Sequence, residues 1–161
     1  MTDGIFVRQG VVEDFNEVMR LSINAATENA IVDPDEMLVA ENVYACLTGQ
    51  HGIIGVIGAE ADQPLEGMII LGLGNPWYSH EQTLEEKVVY VAPEFRAAKG
   101  GRARKLVEWA KGISESHGIP LTIAVLSNSR TEAKIRLFER AFGAPAGVCF
   151  LYNGKTGLKK G

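Results

Sequence analysis

The run VVYVAPEFRAAKGGRARKLVEWA, residues 88 to 110, restricts the fold more than any other part of the chain. Its apolar start, rich in β-branched residues, reads as a strand. Pro93 bars further ladder pairing and pushes Ala92 toward extended geometry. After the glycine pair Gly100–Gly101, residues Leu106, Trp109, Ala110, Ile113 and His117 recur on one side of a helix. Gly118 and Pro120 stop that helix. A helix that starts just after a strand has unpaired N–H groups and a partial positive charge at its mouth. Glycines there let backbone amides approach a ligand closely. Such a junction can seat an anion. It could also be a basic surface patch or a plain connection, since residues 93 to 106 carry five basic side chains. The P-loop pattern GxxxxGK[ST] and the dinucleotide pattern GxGxxG are both absent, which argues against a nucleotide triphosphatase or a dinucleotide enzyme.

The flanking sequence supplies an order of elements. IFVRQ (5–9) suits a short first strand, and Phe15, Val18, Met19, Ser22 and Ala26 fall on one helical face. A second helix is expected with Asp33 as N-cap, Pro34 at its first position and Glu36 closing a capping box, ending at Gly49. HGIIGVIGAE and PLEGMIILGLG read as strands joined in an antiparallel hairpin. The polar loop NPWYSHEQTLEE then leads into the strand KVVYVA, and long loops between strands often carry function. After the helix described above come a buried strand, LTIAVLS, and a helix with Ile135, Phe138 and Phe142 facing in. A last strand, GVCFLY, and a basic tail complete the chain. The order β-α-α-β-β-β-α-β-α-β predicts an α/β (α+β) fold, a mixed, mostly antiparallel sheet with helices on both faces. At 161 residues a single domain, 1–161, is expected.

Bulk properties narrow the function classes. No apolar run is long enough for a membrane span, and MTDGIFVRQG shows no basic segment followed by an apolar core, so neither a membrane segment nor a signal peptide is expected. Cys46 and Cys149 lie in separate apolar stretches and read as buried free thiols of a cytoplasmic protein rather than a disulfide. The net charge of −4 conceals a split: residues 1 to 86 hold 15 acidic and 2 basic side chains, and residues 87 to 161 hold 5 and 14. The halves could attract each other, or each could face a ligand of opposite charge. A nucleic-acid partner is disfavoured, because the chain is acidic overall and its basic half lacks an aromatic stacking platform. No His/Cys cluster has metal-ligand spacing, so no metal is expected. No serine elbow motif points to a hydrolase.

With the element order added, VVYVAPEFRAAKGGRARKLVEWA resembles the acetyl-CoA signature of the GNAT superfamily of acyltransferases, with Val91, Pro93, Arg96, Gly101 and Leu106 in register. KIRLFERAFG resembles the family's late helix, and the likeness runs from residue 5 to residue 152. It implies acetyl transfer from acetyl-CoA to a small-molecule or peptide amine. The amides of Arg96, Ala97, Ala98, Lys99, Gly100, Gly101 and Arg102 would cradle the pyrophosphate. Val89 and Val91 would offer backbone groups to the pantetheine arm, with Asn128, Arg136 and Phe138 flanking its other side. Relatives often dimerise through last strands or helices, and GVCFLY could serve as such an edge. Two departures stand out. Lys99 occupies the first signature glycine position. Phe138 replaces a tyrosine that in relatives often protonates the leaving thiolate, and the late glycine–phenylalanine pair is inverted as Phe142–Gly143.

Amine attack on a thioester needs alignment and a place for the proton. Glu85 and Glu86, at the entrance to the central strand, are candidate bases, and some relatives carry a base at the position of Glu85. Strict alternation would put Glu85 on one face with Lys87, Val89 and Val91. His80, on the long loop, is an alternative acid or base, and Tyr152 on the last strand is a further candidate donor. Trp77 and Tyr78 are candidates to line or cover the acceptor site. The acidic set Glu28, Asp33, Asp35, Glu36 and Glu41 suits a cationic acceptor: a polyamine, an aminoglycoside-like compound, a lysine side chain or an N-terminus. The competing reading is a coenzyme A-binding sensor or inactive relative without turnover, which Phe138 and Lys99 favour.

Overall fold

The structure is a computed structural model that describes residues 4–61, 63–97, 100–126 and 130–155. Five strands form one sheet in sequence order: β1 (Val7–Gln9), β2 (Gly52–Ile57), β3 (Gly67–Gly74), β4 (Thr83–Val91) and β5 (Leu121–Thr122). The first four pair antiparallel and β5 joins β4 in parallel. That is the mixed sheet the hairpin and crossover signals predict. The helices are α1 (Phe15–Asn29), α2 (Glu36–Leu47), a short α3 (Pro93–Arg96), α4 (Arg102–His117) and α5 (Thr131–Phe142).

Helices cover both faces. Alternating strand residues send Ile54, Val56, Met68, Ile70 and Tyr90 into a core beneath α1 and α2, with Val18, Leu21, Val43 and Leu47 from the helices. The other face receives Ile57, Ile69, Leu71, Leu84 and Val91 beneath α4, which contributes Leu106 and Ala110. Gly55 on that face lies against the Trp109 ring: a Cβ there would sit 2.6 Å from Cε3. One ion pair anchors the start of the chain. Asp14, 1% exposed, accepts from Arg8 Nη1 at 2.7 Å and Nη2 at 2.9 Å, and from the Val11 N–H.

Several expectations need correction. The N-cap of α2 is Asp35, whose side chain accepts from the Leu38 N–H at 3.1 Å, so the helix begins after Pro34 rather than at it. His117 is exposed, because Gly118 in the left-handed region ends α4 directly after it. Ile135 and Phe142 are 38% and 39% exposed. It is Ala141 that α5 buries, and the helix packs on α4 rather than on the sheet. Cys46 is a buried free thiol, but Cys149 is exposed. GVCFLY is not a strand. Val148, Phe150 and Tyr152 are 81%, 91% and 85% exposed, since β5 leaves the ladder after Thr122 and offers the segment no described edge to join. Tyr152, placed on that strand by the sequence, is therefore at the surface.

Candidate functional site

Strand β4 carries a β-bulge. Ile70 faces Val88 and Leu71 faces Glu86, so Lys87 is the extra residue. The bulge ends the simple alternation. Val89 and Val91 pack under α4, whereas Lys87 lies over Gly72 on the other face and its Nζ meets Glu85 at 2.7 Å. Glu85 is thus an exposed, ion-paired residue, not a companion of Val89 and Val91. A bulge re-aims side chains locally, a frequent device beside active sites.

The outer edge of β4 borders a cavity. Among the described residues Leu84 and Glu85 alone pair with β5, and from Glu86 to Val91 the strand lines a space of about 1040 Å³. The other walls are α1 (Ser22, Ala25, Glu28), α2 (Val39, Val43, Cys46), residues 124–126, and one face of α5. Gly101 and Arg104, at the start of α4, close one end. Gly101 has φ +57° and ψ 49°, and its carbonyl accepts the first helical bond from the Lys105 N–H at 3.0 Å. The N–H groups of Ala103 and Arg104, ahead of Lys105, therefore have no carbonyl four residues back within the helix. Gly100, at φ +120°, packs against Ile5, where a Cβ would lie 2.4 Å from Cδ1. Ala98, Lys99 and Asn128 lie outside the described residues.

Glu86 is the chemically distinctive group in the cavity. Burial pushes its carboxyl up to about 7 and Glu85 adds to the rise, while the Ala124 N–H, Lys87 and Lys134 pull the other way. A carboxyl poised there can accept a proton near neutral pH. The basic signature residues are partly committed elsewhere. Arg96 grips Glu28 through Nη1 at 2.9 Å and Nη2 at 2.7 Å, donates Nε to the Val91 carbonyl at 2.8 Å, and stacks over Tyr90. Arg102 donates Nε to Glu66 at 2.7 Å and lies over Phe95. Arg96 ties α1 to α3 and the end of β4, and Arg102 ties the β2–β3 turn to the start of α4. What they can offer an anion at the junction is mainly backbone N–H.

The structure thus brings Glu86, Glu85, Val89, Val91, Arg96, Gly101, Arg102, Phe138 and Glu28 to one cavity. Ala97 is exposed beside it, at the end of α3. Trp77, Tyr78, His80, Arg136 and Gly100, all expected at the site, are not on its wall. Trp77 and Tyr78 are 94% and 74% exposed and meet edge to face at 5.7 Å, and His80 is exposed on the same loop. That loop starts two rungs beyond the Gly72–Glu85 pair that marks the cavity's end. Arg136 points away to Glu132 at 3.9 Å. Arg130, Lys134, Cys46 and His51 line the cavity though no sequence motif singles them out. The signal for the first two was available in the helical spacing Arg130–Lys134–Phe138. Among the described residues no acidic, His or Cys cluster could hold a metal, and no helix is long and apolar enough to cross a membrane.

The chain matches no protein-family model and no curated protein sequence. Solved structures do match it. A possible acetyltransferase from Clostridium difficile 630 superposes with TM-score 0.66 at 18% identity over 92% of this chain and 96% of that one. The aminoglycoside acetyltransferase AAC(6')-Iy, in complex with the bisubstrate analogue CoA-S-monomethyl-acetylneamine, gives 0.66 at 14% over the same shares. A ribosomal-protein-alanine N-acetyltransferase from Brucella melitensis biovar Abortus 2308 gives 0.65 at 14%, again over 92% and 96%. The chain has the fold of these acetyltransferases, the GNAT fold that the resemblance implied.

Proposed function

We propose that this protein is an N-acetyltransferase that moves the acetyl group of acetyl-CoA directly onto a primary amine while both are bound. The observation that carries the reading is the cavity between the open edge of β4 and α5, with Glu86 in its wall and the first turn of α4 at its end. An extended arm can lie along β4 as an added strand, taking backbone bonds from Val89 and its neighbours. The start of α4 at Gly101 and Arg102, with the dipole of this 16-residue helix, suits a pyrophosphate. This arrangement holds a thioester carbonyl near the bulge, where Glu86 takes the proton from an attacking amine. Alignment supplies much of the acceleration, and the base adds about 10²- to 10⁴-fold.

The acceptor is a cationic amine in solution. The exposed acidic residues Asp33, Asp35 and Glu36, before and at the start of α2, favour its approach. Structural neighbours that act on aminoglycosides and on a ribosomal-protein alanine support the amine class.

The test is thermal unfolding with and without acetyl-CoA. Ligand at about 100 times its Kd contributes about 2.7 kcal/mol, a rise in Tm of about 5–10 °C for a chain of this size. A Tm unmoved at saturating acetyl-CoA contradicts the proposal. A rise in Tm with no thiol release to any amine identifies a coenzyme-binding protein without turnover instead.

A further inference from the structure

Acetyl transfer makes two protonic demands, and Glu86 meets one. The attacking amine must lose a proton, and the sulfur must gain one or leave as a thiolate. The α5 wall bears on the second. Arg130, Ala133, Lys134, Leu137 and Phe138 recur at helical spacing and all line the cavity. Phe138, Leu137 and Ala133 carry no exchangeable proton. Arg130 carries protons it does not release near neutral pH. Lys134 is the group on that face able to give one up. It is half-buried, and its charge is felt by Glu86 on β4 and by Glu28 on α1.

We infer that Lys134 is the proton donor to the departing sulfur, acting from α5 while Glu86 acts from β4. This rests on the acetyl-transfer reading above. The step balances as follows. The acceptor's ammonium first gives one proton to solvent, and the neutral amine nitrogen then attacks the thioester carbonyl carbon and a C–N bond forms. Glu86 accepts the proton that nitrogen loses. The C–S bond breaks, its electron pair stays on sulfur, and the Lys134 ammonium gives sulfur a proton. The site is left with a neutral lysine and a protonated glutamate, and one proton passing between them through water restores both. The environment suits the role. Burial lowers the Lys134 pKa, Arg96 and Arg130 push the same way, and Glu28 and Glu86 oppose them, so the ammonium releases its proton more readily than a surface lysine does.

The experiment compares Lys134→Met and Lys134→Arg with the parent chain. It uses acetyl-CoA and whichever of spermidine, kanamycin and an alanine-ended peptide the parent acetylates fastest. The expected result for Lys134→Met is a fall in kcat of about 100-fold, with the KM for acetyl-CoA within threefold and the alkaline limb of the kcat profile gone. Lys134→Arg does not restore kcat, because a guanidinium keeps its proton. Three results overturn the inference: unchanged kcat in Lys134→Met, a raised KM alone, which makes the ammonium a phosphate contact, or full rescue by arginine, which makes it a fixed charge. Melting curves and acetyl-CoA calorimetry establish that each variant folds. If neither does, the parent decides: an alkaline limb below the ordinary lysine range, about 10.4, sustains the inference and its absence overturns it. A parent that binds acetyl-CoA but acetylates none of the three amines overturns the acetyl-transfer reading, and this inference with it.

Discussion

Glu86 and Asp14 are two carboxylates that the fold treats in opposite ways. Glu86 is raised to about 7 by burial. A base must be unprotonated to work, so acetyl transfer should climb with pH through about 7, and it falls again on the alkaline limb set by the Lys134 ammonium. Glu86→Gln should lower kcat by about 10²-fold or more and abolish that acid limb, and steady-state rates between pH 5.5 and 9 check it. Asp14 goes the other way. Burial would raise its pKa, but the Arg8 guanidinium and the Val11 N–H outweigh burial and hold it low. Its contribution to stability is therefore present above the ordinary carboxylate range and is lost as pH falls through the lowered value. Asp14→Asn leaves Arg8 without its buried partner and should cost about 3 kcal/mol at pH 7, read from urea unfolding, with a smaller difference in acid. The identity of these residues was legible in the sequence, but their roles were only half so. Glu85 and Glu86 stand together at the cavity, and a bulge invisible to an alternation rule leaves Glu85 exposed and Glu86 partly buried. Asp14 gave no signal at all, because its partner Arg8 lies on another element.

Among the elements, the strand–helix junction was the most legible. Its proline, glycine pair and helical period act locally, and the structure sets Gly101 and Gly118 in the left-handed region at the two ends of α4. Short-range chemistry of this kind is written into neighbouring residues. Sheet pairing is not, and the miss at GVCFLY shows why. An apolar run makes a strand only where an edge is offered, and β5 pairs through two rungs alone. Arg136 was misplaced for a related reason: α5 turns Lys134 and Phe138, not Arg136, toward the cavity. How α4 seats on the sheet is itself testable. Gly55 leaves room for the Trp109 ring, so Gly55→Ala should destabilise by about 1–3 kcal/mol through overpacking. The cost should shrink in a Trp109→Leu background, a coupling that a double-mutant cycle measures. Additive effects would mean that the two residues do not share the contact.

At the scale of the whole molecule, the charge split has a structural meaning. The acidic first half and the basic second half are joined by Glu28–Arg96 and Glu66–Arg102. The cavity lies where the halves meet, and these two pairs are part of what joins them. These pairs take up arginine side chains that sequence alone would assign to phosphates. The fold was legible because the element order is distinctive, and solved acetyltransferases share it at 14–18% identity. The acceptor was not, since it depends on how α1 and α2 shape one side of a cavity. The most direct measurement is therefore thiol release from acetyl-CoA, followed against a panel of polyamines, aminoglycosides and peptide N-termini, with product identified by mass. The account predicts saturable release matched by acetylated amine, lost in Glu86→Gln. No release above the spontaneous rate with any amine, from folded protein at saturating acetyl-CoA, would contradict it.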